Sequence, residues 1–285
     1  MPSSLLTLPD PVTRCRPLLG TFVEITAPDG HGEAVNAAFA AIAHIHRRMS
    51  FHEPASDLAA IRKAQAGECV AIDRETVRVL RTAQALHEAS DGLFDVTVGR
   101  SIVSGGFLPR NGLGPLKQYD GTATDVIIED DTHIRLARRV LMDLGGIAKG
   151  HAVDRAVETL IEHGVPGGLV NAGGDLRAFG SADWTIGLRD ADELVRLHMV
   201  IRDCAVASSA NLNNRRLLRG SLRSPHIGRG GQPVLANERT TVVAELCVIA
   251  DAMTKIAMVD ADLADTLLAD YKGHVVRALA SQVRN

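Results

Sequence analysis

Aromatic residues are scarce in this 285-residue chain, which holds six Phe, two Tyr and the single Trp184. A planar ligand would therefore be held mostly by aliphatic and backbone surfaces rather than by stacked rings. The four cysteines, Cys15, Cys69, Cys204 and Cys247, lie far apart with no C-x-x-C. That spacing signals neither a zinc site nor a redox motif, and free, mostly buried thiols are expected. No run approaches about 18 uninterrupted apolar residues, so no membrane span is predicted. Basic blocks are missing too: 31 Lys and Arg against 34 Asp and Glu leave a formal charge of −3. This balance argues against a dedicated nucleic-acid binder. Residues 1–20 show no basic region leading into an apolar one, so no secretory signal is read and a cytoplasmic address is expected. Without a G-x-S-x-G elbow, an H-E-x-x-H pair or a fixed-period repeat, a serine hydrolase, a histidine-built metal site and a repeat architecture all lack support.

What is present is an ordinary globular composition, with 46% apolar and 23% charged residues. The length suits one domain over 1–285, or two intimately packed α/β subdomains, and no linker marks a boundary. Apolar periodicity predicts a strand at 20–27 and helices at 33–49, 57–66 and 73–90, the last with Asp73 as N-cap and Gly92 beyond its end. A glycine-rich loop segment follows at 99–124, then strands at 125–129 and 133–137 around an Asp130-Asp131 turn. A strong helix is predicted at 147–163, closed by Gly164. The texture then turns to strands, at 168–171, 176–180, 184–189, 196–202 and 204–208. Residues 209–239 carry no convincing period. Helices at 250–258 and 262–270 and a strand at 274–279 complete the map. Strands and helices do not alternate regularly, so the predicted class is α+β, with mixed sheets and packed helices.

Several segments combine residues that bear chemistry. In 142–154 (MDLGGIAKGHAVD), Gly145 and Gly146 stand just before a helical pattern whose first turns contain Lys149 and Gly150. Such a turn lets backbone N–H groups approach an anion, with Lys149 adding a point charge for a phosphate; a tight strand-to-helix turn with an exposed lysine fits equally well. The Walker spacing is absent. A second glycine pair, Gly173-Gly174, is bracketed by Ala172 and Asp175. It is either a plain hairpin or a close backbone approach with Asp175 accepting from a polar ligand such as an amino-purine. Asp95 and Thr97, two residues apart, would point the same way on an extended segment, unless they only make a turn. Asp251 stands near the start of a helix with a hydroxyl close by, a pattern able to hold a hard cation. It also suits a helix N-terminus, or a surface i,i+4 ion pair with Lys255. Of eleven histidines, His226, in a Gly/Arg-rich stretch, stands out as a proton acceptor.

Taken together and in order, these segments resemble the ApbE family, the FAD:protein FMN transferases. The matching pieces are Leu19-Gly20-Thr21, Met49-Ser50 with Ser56-Asp57-Leu58, 94–99, 143–154, 171–175, Ala207-Ser208-Ser209 and 250–253, spanning roughly 16–260. The most specific are DLGGIAKGHAVD and the VNAGGDL that follows it. The resemblance implies binding of FAD, Mg²⁺-dependent cleavage of its pyrophosphate, and transfer of FMN through a phosphoester to a threonine of an acceptor flavoprotein, with AMP leaving. Mg²⁺ would be held by the Ala148 carbonyl, the Asp251 carboxylate and a hydroxyl of the same helix, here Thr254. FAD would lie against Leu19, Gly20, Thr21, His52, Asp95, Thr97, Lys149 and 172–175, with His226 at the family's histidine position. This chain departs from the pattern at Leu19 (usually Met), His52 (usually Tyr) and Arg62 (usually Asn). In addition, 226–233 lacks the family's Asp-Pro, and Lys255 stands where a hydroxyl is expected four residues after Asp251. A flavin-binding homologue without activity, or an FAD pyrophosphatase releasing FMN to water, are the other readings the resemblance accommodates.

Overall fold

Residues 11–110, 112–190 and 192–277 are described by a computed structural model. Two strands open it, β1 (Pro11–Leu18) and β2 (Thr21–Pro28), paired antiparallel down to Leu18 opposite Thr21. Leu19 (φ +56°) and Gly20 (φ +72°) form the link, the positive-φ pair that a two-residue hairpin requires. Gly20 therefore belongs to the turn, not to the predicted strand. Helix α1 (Gly32–Met49) buries Val35, Ala38, Phe39, Ile42, Ile45 and Met49 on one stripe, as its 3.6-residue period dictates. In α2 (Asp57–Lys63) the Ser56 hydroxyl caps the Ala59 N–H at 3.1 Å. Asp57 is architectural: it pairs with Arg48 of α1 and accepts from the Asp73 N–H at 3.0 Å and the Thr76 hydroxyl at 2.5 Å. It thereby ties α1 and α2 to α3 (Arg74–Ala89), which Asp73 caps as predicted.

Strand β3 (Cys69–Ala71), not foreseen, pairs with β5 (His133–Leu136), and β5 with β4 (Val126–Ile128), giving a small sheet ordered β3-β5-β4. One short helix, α4 (Gly99–Ser104), interrupts the segment expected to be loop. After α5 (Ala148–Glu162) come β6 (Gly168–Ala172), β7 (Asp175–Phe179), β8 (Trp184–Arg189), β9 (Val195–Ile201) and β10 (Ala205–Ser209). The stretch without a period contains a small exposed ribbon, β11 (Arg216–Leu218) with β12 (Ser221–Arg223). Strand β13 (Thr240–Ala244), helices α6 (Cys247–Ala257) and α7 (Ala261–Leu268) and strand β14 (His274–Val276) end the described chain. The part of the predicted last strand beyond 277 lies outside it.

The main sheet runs β1-β2-β6-β7-β10-β13-β14 and is antiparallel at every pair. The α+β arrangement is as expected; neighbouring strands alternate in direction throughout, whether joined by a hairpin, as β1–β2 and β6–β7, or through intervening helices, as β2–β6 and β13–β14. Alternation along the strands gives each face its own core. Val170, Ala172, Ala205, Ala207, Val242 and Ala244 face the large core shared with α1, α5 and α6. Leu176, Ala178, Val206 and Val243 face a smaller one, completed by Ile186 and Ile201 of the β8–β9 ribbon. The thiols correct one expectation: all four are free, but only Cys247 is buried, while Cys15 and Cys69 are exposed on short or edge strands. No helix among the described residues is long and apolar enough to cross a membrane.

Candidate functional site

Helix α6 is positioned by α5, and the reason lies in the glycine-rich segment before and inside α5. A Cβ on Gly150 would stand 2.3 Å from the Cys247 carbonyl oxygen, so only glycine lets α5 lie this close to the start of α6. The Gly150 N–H donates to Asp251 Oδ2 at 3.1 Å. One turn later Asp154 accepts from the Cys247 and Val248 N–H groups at 2.9 and 2.8 Å, capping α6, whose own preceding residue Leu246 offers no side-chain cap. Arg177 of β7 donates to the same carboxylate at 2.8 Å. This external cap is why α6 begins at Cys247, earlier than predicted. Half of the most specific sequence motif is thus architecture: Gly150 and Asp154 set α6, and α6 delivers Asp251, Thr254 and Lys255.

Two lysine–aspartate pairs result. Lys149, in the first turn of α5, pairs with Asp175, the first residue of β7. Lys255 donates to Asp251 Oδ1 at 2.5 Å, to the Asp251 carbonyl at 3.0 Å and to the Ser209 hydroxyl of β10 at 3.0 Å. Thr254 donates to the Asp251 carbonyl at 2.7 Å and shares a hydrogen bond of 2.7 Å with Ser209. Burial alone would raise the Asp251 carboxyl, but Lys255 and then Lys149 outweigh it and hold it below its ordinary value. The i,i+4 pair expected at the surface is therefore an interior one.

Two clefts meet at Asp143 and Gly145. One, of about 220 Å³, is lined by Asp95, Gly146, His226 and Lys255. The other, of about 320 Å³, is lined by Leu19, Gly20, His52, Ala148 and Lys149. Burial raises the Asp143 carboxyl, against the Gly145 N–H, His52 and Lys255, which favour its charged form. Burial, reinforced by Lys255, lowers the His226 imidazole to about 4, so it is neutral at neutral pH; its buried Nδ1 has no partner. A larger cleft of about 550 Å³ opens on the opposite face of the sheet, lined by Thr21, Gly173, Gly174, Leu176 and Arg239. It holds neither lysine, nor Asp251, nor His226.

The sequence-derived residues thus fall into groups. Leu19, Gly20, His52, Ala148 and Lys149 share one cleft, Asp95 and His226 the adjoining one, and Asp175 joins the first through Lys149. Thr21 and the glycine pair line the opposite opening. The pair is a hairpin turn (φ +67° and +102°), and a Cβ on Gly173 would lie 2.4 Å from the Thr21 hydroxyl. Ala172 is fully buried, so its side chain meets no ligand. Asp95 and Thr97 lie on no strand: Asp95 Oδ1 accepts from the Thr97 N–H at 2.7 Å and its hydroxyl at 2.6 Å, a local turn, and Thr97 faces Leu80 and Met142. Asp143 and Ser209 were not singled out, although both stand inside the segments DLGG and Ala207-Ser208-Ser209.

The donor set does not fit a divalent cation. Both Asp251 oxygens are engaged, one by an ammonium, and lysine offers donors only. Thr254 directs its hydroxyl to Asp251 and Ser209. No group of three His, Cys, Asp or Glu suited to a metal occurs among the described residues. A hard cation takes several oxygens at once.

Fold and clefts define the class, an α+β protein with two adjoining clefts beside the glycine turn that opens α5. The chain belongs to the ApbE family, whose model matches residues 19–277. It is 27% identical over 269 residues to the FAD:protein FMN transferase of Rhodobacter capsulatus, covering 87% of this chain and 51% of that protein. With the Vibrio cholerae protein of the same name it shares 26% over 245 residues, 75% of this chain and 70% of that one. It therefore spans about half the length of the first relative. Its fold matches the ApbE protein of Thermotoga maritima with a TM-score of 0.80 at 25% identity, covering 93% of each chain.

Proposed function

We propose that this chain, acting as one domain, binds FAD at the two clefts flanking Asp143 and transfers its FMN moiety to a threonine of an acceptor flavoprotein, releasing AMP. The observation that carries the proposal is that the cleft of Lys149 and the cleft of the neutral His226 adjoin at Asp143 and the glycine turn that opens α5, in a chain of this family. Lys149, one-third exposed, turns its ammonium toward the diphosphate, and the glycine turn lets the ligand approach the backbone. The acceptor oxygen attacks the FMN phosphorus as the bond to the bridging oxygen breaks, and AMP leaves with that oxygen. The hydroxyl proton passes to the neutral imidazole of His226. Leu19 and His52 wall the remaining cleft, and Asp95 stands at the opposite end, beside His226. Mg²⁺, which the resemblance implies, would supply charge neutralisation on the pyrophosphate when bound; no step here is assigned to it, given the donor set described above.

The test is incubation with FAD and a threonine-bearing flavin acceptor, followed by mass spectrometry. A gain of one FMN on threonine, with AMP in equal amount, is expected. AMP and free FMN with an unmodified acceptor would replace transfer by hydrolysis. Neither product, with FAD still bound, would mark a binding protein.

A further inference from the structure

Asp251 is the carboxylate that the family resemblance assigns to a metal, yet an ammonium from its own helix already rests on it. Lys255 contacts three oxygens, Asp251 Oδ1, the Asp251 carbonyl and the Ser209 hydroxyl, which matches the three donors an ammonium has. Its side chain is 17% exposed, and that of Asp251 not at all. The glycine turn is shaped around this lysine: a Cβ on Gly146 would come within 3.2 Å of Lys255 Cε. A divalent cation placed on Asp251 would have to displace the ammonium or lie against it, in an interior where like charges repel strongly. Lys255 is not sealed off from ligands either, because it lines the 220 Å³ cleft with Gly145, Gly146 and His226.

We infer that Lys255 takes the place of a divalent cation in this chain, so that its site binds nucleotide without metal. The inference rests on the reading of the clefts as an FAD site. The ammoniums of Lys149 and Lys255 are balanced by Asp175 and Asp251, with Asp143, His52 and the neutral His226 facing them. An incoming diphosphate therefore meets two resident, already paired cations, one of them fixed, rather than a mobile dication. Substituting Lys255→Thr removes the resident charge and restores a hydroxyl four residues after Asp251.

Two measurements on the full chain test this. The first is FAD titration by calorimetry on metal-stripped protein, in EDTA and in Mg²⁺. The two affinities are expected to agree within about twofold. Tightening by about tenfold or more with Mg²⁺ overturns the inference and leaves the flavin reading standing. Absence of FAD binding in both buffers overturns the flavin reading and the inference with it. The second needs no flavin: Mn²⁺ binding followed by its paramagnetic resonance signal. Wild-type protein is expected to leave the free-ion signal intact, whereas Lys255→Thr takes up one ion and melts at a higher temperature with Mn²⁺ than without. Uptake of one Mn²⁺ by the wild type, lost in Asp251→Asn, overturns the inference even where Lys255→Thr does not fold.

Discussion

Lys149–Asp175 and Lys255–Asp251 are the same chemical pair in two surroundings. The first joins the opening turn of α5 to the edge of a hairpin, and its lysine is 33% exposed along a cleft wall. The second lies inside α6, with its carboxylate wholly enclosed and its ammonium shared among three oxygens. The Lys149 ammonium has one partner and stands on a cleft wall, so a ligand phosphate can replace that partner, at the cost of leaving the buried Asp175 carboxylate unpaired. Lys255 holds three oxygens at once beside a wholly enclosed carboxylate, so drawing it away costs more. The contrast assigns recognition to Lys149 and fixed charge to Lys255.

Breaking the enclosed pair gives the largest effect. Lys255→Met strands Asp251, and a loss of about 3–5 kcal/mol in urea denaturation is expected. The double variant with Asp251→Asn recovers much of it, since each change removes the other's unpaired partner. Additive losses would mean that the two groups are not coupled. A smaller effect comes from the packing that aims α6. Gly150→Ala forces a Cβ against the Cys247 carbonyl and should cost about 1–3 kcal/mol. Gly146→Ala meets only the flexible stem of Lys255 and should cost less; equal losses would show that α5 can shift away from α6. The Lys149 pair gives a comparable loss: Lys149→Gln leaves the buried Asp175 carboxylate with an amide donor in place of an ammonium and should cost about 1–3 kcal/mol. The smallest signal is the titration of His226. Its imidazole should protonate near pH 4 in NMR spectra of the folded protein. The folded value lies below the ordinary 6.5, so the unfolded chain binds this proton more readily, and the group's contribution to stability is lost as pH falls from about 6.5 toward 4. A midpoint near 6.5 would show that water and counter-charges reach the ring.

The sequence disclosed these regions unequally. Helices α1, α3 and α5 were legible because each carries a long apolar stripe, and Asp73 caps α3 from the adjoining position. The start of α6 was hidden because its cap, Asp154, comes from 93 residues away. Strands β3, β11 and β12 are three residues long and largely exposed, too short for an alternating pattern to show. At the site, the spacing of Asp251 and Lys255 was plain, but their burial was not. That depends on Gly150 admitting α5 to contact, a tertiary fact that no local pattern carries. The settings of Thr97 and Ala172 depend on similar facts: the turn left open for Thr97 is closed by Asp95, and Ala172 packs into the core beneath α5 and α6.

The claim that the Lys149 cleft receives the flavin diphosphate is tested most directly by FAD titration of wild-type and Lys149→Gln protein, with melting temperatures measured alongside. Affinity should fall by about tenfold or more in a variant whose melting curve still shows a cooperative folded state. Equal affinities in two folded proteins would contradict the account and move the flavin elsewhere in the molecule.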